Sequence, residues 1–303
     1  MSKFSSLLKN LFWILVLVQI APTLFKSIKS QYSSLIEPKT KVGVVTIKDT
    51  ITSSECYVRS LKKFFEDSEI KAIVLKIESP GGVAGASQTI FNEIKSLKSQ
   101  HNKYIVAFIE NIAASGGYYV ACSADHIISS PAAFIGSIGS YIAHPNFKEL
   151  VEFLKVKYEI IGSGDYKTVG SPFLDLTDNQ RKLLQDLSDN VYHQFIKDVA
   201  EQRPSLSADY KLWADGKIFT GQQALVIHLV DELGSQSTVA KTLKEKANIK
   251  GKIEWVKAKP NESLFQSLLN NDSGSEQELG FKSLIKLVGG FFVQNNTSNC
   301  VNY

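Results

Sequence analysis

Methionine and cysteine are both scarce: one methionine and three cysteines in 303 residues. Cys56, Cys122 and Cys300 are an odd set, and their spacings suit neither a disulfide framework nor a zinc site. Cys122, within Tyr118-Tyr-Val-Ala-Cys-Ser-Ala124, reads as a small buried residue, not a reactive thiol. The five histidines are dispersed and form no H-x-x-x-H pair, which argues against a metal enzyme. Net charge is only +4, and no long basic block alternates with aromatics, so nucleic acid is not the expected partner. No repeat at solenoid spacing is present. What remains is 44% hydrophobic residues, enough to bury a core in one large domain or two small ones.

The amino terminus stands apart. Leu11 to Val18 are eight consecutive apolar residues, within an uncharged run of sixteen from Asn10 to Phe25. Lys3 and Lys9 precede the run; Lys26 and Lys29 follow it. A spanning helix needs roughly 20 residues, a deficit that snorkelling lysines can make up. No clear small-x-small cleavage site follows. An uncleaved anchor over residues 1–29 is therefore expected, with a cleaved signal peptide second and a buried core helix third. Positive charge on both sides leaves its orientation weakly determined.

Residues 30–41 read as a polar linker. Strands are expected at Val42–Ile47, Lys71–Ile77, Tyr104–Ile109, His126–Ser129 and Tyr158–Ile161, with an edge strand at Lys252–Val256. Helical periodicity covers Glu55–Phe65, Ala86–Leu97 and Asn179–Ala200, the last with Leu183, Leu184, Leu187, Val191 and Phe195 in sequence. Strands alternating with helices imply an α/β domain with largely parallel pairing, placed at residues 42–250. Residues 251–303 form a carboxy-terminal extension, with a short amphipathic helix at Phe281–Val288 and a frayed end.

Three segments hold chemistry. Ser115 lies in Asn111-Ile-Ala-Ala-Ser-Gly-Gly-Tyr-Tyr119, small residues that open a helix. A hydroxyl at a helix start lies near unpaired N–H groups, and the N–H of Gly116 is placed to receive a developing oxyanion. A tight helix entry would have the same composition. Glu78-Ser-Pro-Gly-Gly82 joins a strand to a helix, and such a turn can supply a second oxyanion donor; it lacks the spacing of a nucleotide loop. Lys167 lies 52 positions after Ser115 in Gly162-Ser-Gly-Asp-Tyr-Lys-Thr-Val-Gly170. Lysine deprotonates a serine only when neutral. Lowering its pKa from about 10.4 to about 7.5 requires roughly 4 kcal/mol. Burial supplies that much, and Tyr166, Val169 and Phe173 are near in sequence. A solvated loop lysine fits the same local pattern.

The ordered set of S-P-G-G, N-I-A-A-S-G-G-Y-Y-V-A, G-S-I-G (Gly136–Gly139), Y-K-T-V-G-S-P-F, D-G-K-I-F-T-G-Q-Q-A (Asp215–Ala224) and L-V-D-E-L-G (Leu229–Gly234) resembles the signal peptide peptidase A (protease IV) family, short single-domain type. The match covers roughly residues 42–250. It implies a Clp/crotonase-like α/β fold of repeated β-β-α units. It implies Ser115 as nucleophile, Lys167 as general base, and an oxyanion hole from Gly82 and Gly116 with Gly81 shaping the turn. Ser137 would orient the lysine amine, although a turn-capping hydroxyl explains it as well. Family members commonly have glycine where His228 stands, which reads as a packing change. Asp165 and Asp175 flank the lysine loop; a carboxylate beside Lys167 would keep it charged, so both should point away.

The function expected is a membrane-associated serine endopeptidase degrading cleaved signal peptides or similar apolar peptides through an acyl-enzyme. It would need no metal or organic cofactor. The resemblance also implies a homo-oligomeric ring, a single-pass location in the cell membrane and an extracytoplasmic catalytic domain. A crotonase-fold acyl-CoA enzyme and a non-catalytic membrane scaffold are the alternatives.

Overall fold

A computed structural model describes residues 38–258 together with scattered helical positions between Trp13 and Lys26. Most of the expected anchor, and the amphipathic helix expected at Phe281–Val288, lie outside the described residues. Among the described residues, no helix is long and apolar enough to cross a membrane.

The first strands and helices alternate. β1 (Lys39–Ile51), α1 (Glu55–Glu66), β2 (Ile70–Gly82), α2 (Ala84–Gln100), β3 (Tyr104–Ala114) and α3 (Gly116–Ala121) follow one another. β4 (His126–Ser129) and β5 (Phe134–Gly136) come next, then α4 (Lys148–Phe153) and the long α5 (Asp178–Gln202). β6 (Ile218–Thr220), α6 (Gly221–Val226), β7 (Glu232–Leu233), α7 (Gln236–Lys246) and β8 (Lys252–Lys257) complete the domain. All pairings are parallel except β5 with β6. β8 pairs with β1, so the sheet extends past residue 250.

Both faces of the central strands are covered, which is why they are apolar runs without alternation. Ile73, Leu75 and Ile77 of β2 pack with Leu61, Phe65, Ile90 and Phe91 from α1 and α2. Ala72 and Val74, pointing the other way, pack with Val239 and Leu243 of α7.

The long strands do more than was expected of them. β1 and β2 slip register between Lys48 and Thr50, and β2 and β3 slip between Ile77 and Ser79. Before the slips, strand order runs β8-β1-β2-β3-β4-β7. After them, Thr50–Ile51 pair with Gly81–Gly82, Ser79 pairs with Ala113, and Ile112–Ala114 pair with β5 and onward to β6. Each long strand thus serves two successive ladders, separated by a bulge. Ser79-Pro-Gly-Gly82, expected as a turn, is instead the paired end of β2.

Two further expectations fail locally. Tyr158–Ile161 is not a strand; Ile161 is 95% exposed, and none of the strand pairings among the described residues involves this segment. The apolar stripe of α5 is packed only at its carboxy-terminal half, where Phe195 and Val199 are buried, while Leu187 is exposed. Cys122 is fully buried, as read from the sequence.

Candidate active site

The second ladder brings three strand ends together beneath α2 and α3. Ser115 directly follows β3 and caps α3 with φ 50° and ψ −123°, a conformation that costs a non-glycine residue on the order of 1–3 kcal/mol. The surroundings hold it there: its N–H donates to the Gly136 carbonyl at 2.7 Å, and its carbonyl accepts from Tyr119 at 2.9 Å. Its hydroxyl makes no capping bond to the helix. The side chain is half-buried and opens into a cleft of about 410 Å³.

The end of β2 is pressed against this serine. A methyl group on Gly81 would stand 2.8 Å from Ser115 Cβ and 2.9 Å from Gly116 N. Gly81 also has φ 108°, which few other residues adopt. Gly82 and Gly116 both line the cleft beside Ser115. A methyl on Gly116 would lie 2.2 Å from Ser87 Oγ of α2 and 3.4 Å from the Gly82 nitrogen. The backbones of Gly82 and Gly116 are therefore packed closely together beside the serine. As the first residue of α3, Gly116 has no intrahelical acceptor for its N–H.

The rest of the cleft is more apolar than polar. Val83 and Ala84 lie at the entry to α2, Tyr119 on α3, and Val191 and Phe195 on α5. Tyr119 stacks on Phe195 with ring centroids 4.2 Å apart. Its hydroxyl donates to the Asp198 carboxylate and accepts from Gln88 Nε2 at 3.1 Å. Burial, and then the Asp198 bond, push the Tyr119 phenol well above its ordinary range, so it stays protonated. None of these wall residues was singled out from sequence. Periodicity marked Val191 and Phe195 as core positions, and no local pattern tells a core stripe from a cleft wall.

Ser137 follows β5 with φ 50°, and its N–H donates to the Lys217 carbonyl at 2.7 Å. It is half-buried, one residue beyond the Gly136 carbonyl that holds Ser115. Lys167 is placed differently from the buried lysine expected. It lies on an exposed turn, its N–H bonded to Gly164, and it is not among the residues lining the cleft. The burial that a lysine base needs is therefore not supplied within the described chain. Asp175 does point to other partners: its carboxylate accepts from Lys148 Nζ at 2.6 Å and Asn146 Nδ2 at 2.9 Å, which holds it below the usual carboxylate range. Among the described residues, no cluster of histidine, cysteine or carboxylates could hold a metal ion.

A serine in a strained conformation thus lines a cleft with two glycines at the end of an α/β sheet. Known proteins supply the class. The model of peptidase family S49 matches residues 97–250, just over half of the chain, so the chain belongs to this family. A Synechocystis protein provisionally named protease slr0021 is 36% identical over 198 residues, 65% of this chain and 70% of the relative. An Enterococcus faecium protein provisionally named signal peptide peptidase SppA is 33% identical over 193 residues, 64% of this chain and 56% of the relative. Protease 4 of Haemophilus influenzae is 27% identical over 265 residues, 82% of this chain but only 42% of that protein. The chain thus spans between two fifths and seven tenths of the length of these relatives. The resemblance to the signal peptide peptidase A family is upheld.

Proposed function

We propose that the protein is a membrane-associated serine endopeptidase with a Ser115–Lys167 dyad on a Clp/crotonase-type fold. The observation that carries this reading is the strained Ser115 lining a largely apolar cleft together with Gly82 and Gly116. The bulged long strands, each serving two ladders, support the fold assignment. Neutral Lys167 accepts the Ser115 proton as Oγ attacks the peptide carbonyl. The two glycine amides hold the tetrahedral oxyanion, and the lysine ammonium then protonates the leaving amine. Water repeats the cycle on the acyl-enzyme. Ser137 supports the lysine amine.

Lys167 must be desolvated to act, and a second copy of the chain is the agent we assign. Tyr141, Phe153, Leu154 and Ile161, at the end of α4 and in the segments flanking it, are all more than half exposed, as large apolar side chains rarely are on a monomer. Packing this surface against a neighbouring copy removes it from water together with the Lys167 turn. Substrates are apolar peptides, cleaved signal peptides among them. Residues 1–29 anchor the protein in the cell membrane, with the catalytic domain on the extracytoplasmic side.

A fluorophosphonate probe should label Ser115 and no other residue, and Ser115→Ala and Lys167→Ala should each abolish peptide cleavage while melting as the parent does. Full activity in Lys167→Ala would remove the dyad.

A further inference from the structure

The geometry points to Ser79 as a positioning residue that sets the Gly82 amide of the oxyanion hole through its side-chain hydroxyl. Ser79 has this role only if Gly82 is an oxyanion donor, as proposed for the peptidase. It lies where the sheet changes ladder. On one side Ile77 pairs with Ile109; on the other Ser79 pairs with Ala113, so the slip falls immediately before Ser79. On the β1 side, Lys48 pairs with Glu78 but Thr50 with Gly81, leaving Asp49 opposite Ser79 and Pro80. Pro80 has no N–H to give to a ladder. Regular backbone pairing is therefore interrupted at Pro80, between Ser79 and the Gly81–Gly82 pair.

The hydroxyl of Ser79 takes over at this interruption. It donates to the Asp49 carbonyl at 2.5 Å, closing the bulge from the β1 side. It accepts from the Gly81 N–H at 3.1 Å, folding the backbone back on itself over two residues. Asp49 is itself at φ 59°, so its carbonyl is turned out of the regular ladder toward this bond. The side chain is fully buried, and its polar atom is spent on these contacts. The backbone of Ser79 is also clamped to the nucleophile helix: a methyl on Gly117 would stand 2.6 Å from the Ser79 carbonyl. One residue thus fixes the β2 end against β1 through its hydroxyl and against α3 through its carbonyl. The amide of Gly82 is aimed by both.

A buried serine could instead only satisfy a bulge, adding stability without aiming anything. The two roles separate kinetically. An amide that is misaimed loses contact with the oxyanion, which exists in the transition state and not in the bound substrate, so kcat falls and KM does not. Deleting an oxyanion donor outright costs about 10²–10³-fold in kcat, and a donor that is only misaimed should cost less, about 10–100-fold.

The experiment uses the full-length protein in detergent, an apolar peptide substrate and a peptide aldehyde, which forms a tetrahedral oxyanion on the serine. Ser79→Ala should melt cooperatively, keep KM within about threefold, lose about 10–100-fold in kcat and lose aldehyde affinity in proportion. Ser79→Thr retains the hydroxyl and should recover most of kcat. An Ala variant with parental kcat, or one whose kcat falls with aldehyde affinity unchanged, would overturn the role. If Ser79→Ala does not fold, the Thr variant carries the test: a folded Thr protein with kcat reduced as in oxyanion-hole mutants overturns it too. If the parent itself shows no Ser115-dependent cleavage, the peptidase reading fails, a separate outcome from failure of Ser79 alone.

Discussion

Small residues in this chain stand where a methyl group would collide with the chemistry. Gly81 is the sharpest case, because any side chain there meets both Cβ of the nucleophile and the amide beside it. Gly81→Ala should displace Ser115 or push β2 away from it. A misplacement of about 1 Å costs on the order of 100-fold in rate, so kcat/KM should fall at least that far while far-UV circular dichroism stays parental. An alanine variant within tenfold of the parent would mean that the contact relaxes without moving the serine. His228 shows the converse. It sits at φ 65°, a backbone shape that glycine adopts freely. Its carbonyl accepts from Arg203 at 2.9 Å, a contact made by the backbone and not by the imidazole.

Between elements, one buried ion pair ties the end of α5 to the sheet. Arg203, the residue that ends α5, has a side chain only 9% exposed. Its guanidinium makes two 2.8 Å bonds to the Asp231 carboxylate, which also accepts from the Ile127 N–H of β4 at 2.7 Å. Burial alone would raise the Asp231 pKa, but the Arg203 bond and charge outweigh it, and the carboxyl is held below its ordinary range. A depressed folded pKa gives stability that is complete above the unfolded value, near 4, and is lost as pH falls through the folded value. Asp231→Asn should therefore cost about 3 kcal/mol at neutral pH, the scale for breaking a buried pair. Its melting temperature should also fall less than the parent's on acidification below pH 4. Parallel acid profiles for the two proteins would mean that Asp231 is not depressed. At this scale the sequence was legible where one element is self-contained. Periodicity over Glu55–Phe65, Ala86–Leu97 and Asn179–Ala200 marks the three helices to within a few residues, and the β-branched runs Lys71–Ile77 and Tyr104–Ile109 mark the first parts of β2 and β3. The bulges were not visible, because a register slip is a relation between two strands and leaves no mark in either. For the same reason Ser79 looked like one letter of a turn, when its hydroxyl spans two strands.

At the scale of the whole molecule, the described domain is unevenly finished. The sheet and its helices bury a continuous core, whereas residues 141–166 expose Tyr141, Phe153, Leu154, Val156, Ile161 and Tyr166. Ser115 could be picked out because its setting is local. The condition on Lys167 is not met within the described residues: of the apolar neighbours expected to bury it, Tyr166 is exposed and Val169 and Phe173 are only half-buried. If a second copy covers the exposed segment, assembly and catalysis must be linked, because the copy that buries the apolar surface also removes water from the lysine. Phe153→Asp with Ile161→Asp places two charges on the surface without touching Ser115, Gly82 or Gly116. The double variant should elute as a monomer by light-scattering chromatography and lose at least about 100-fold in peptide cleavage. A lysine returned to water requires the pH optimum to shift upward, since the neutral base is then populated only nearer its ordinary value of about 10.4. Residual activity should accordingly recover at alkaline pH, up to the limit of stability. A monomeric double variant with parental activity and pH profile would show that Lys167 needs no neighbour, and would break the link between assembly and the dyad.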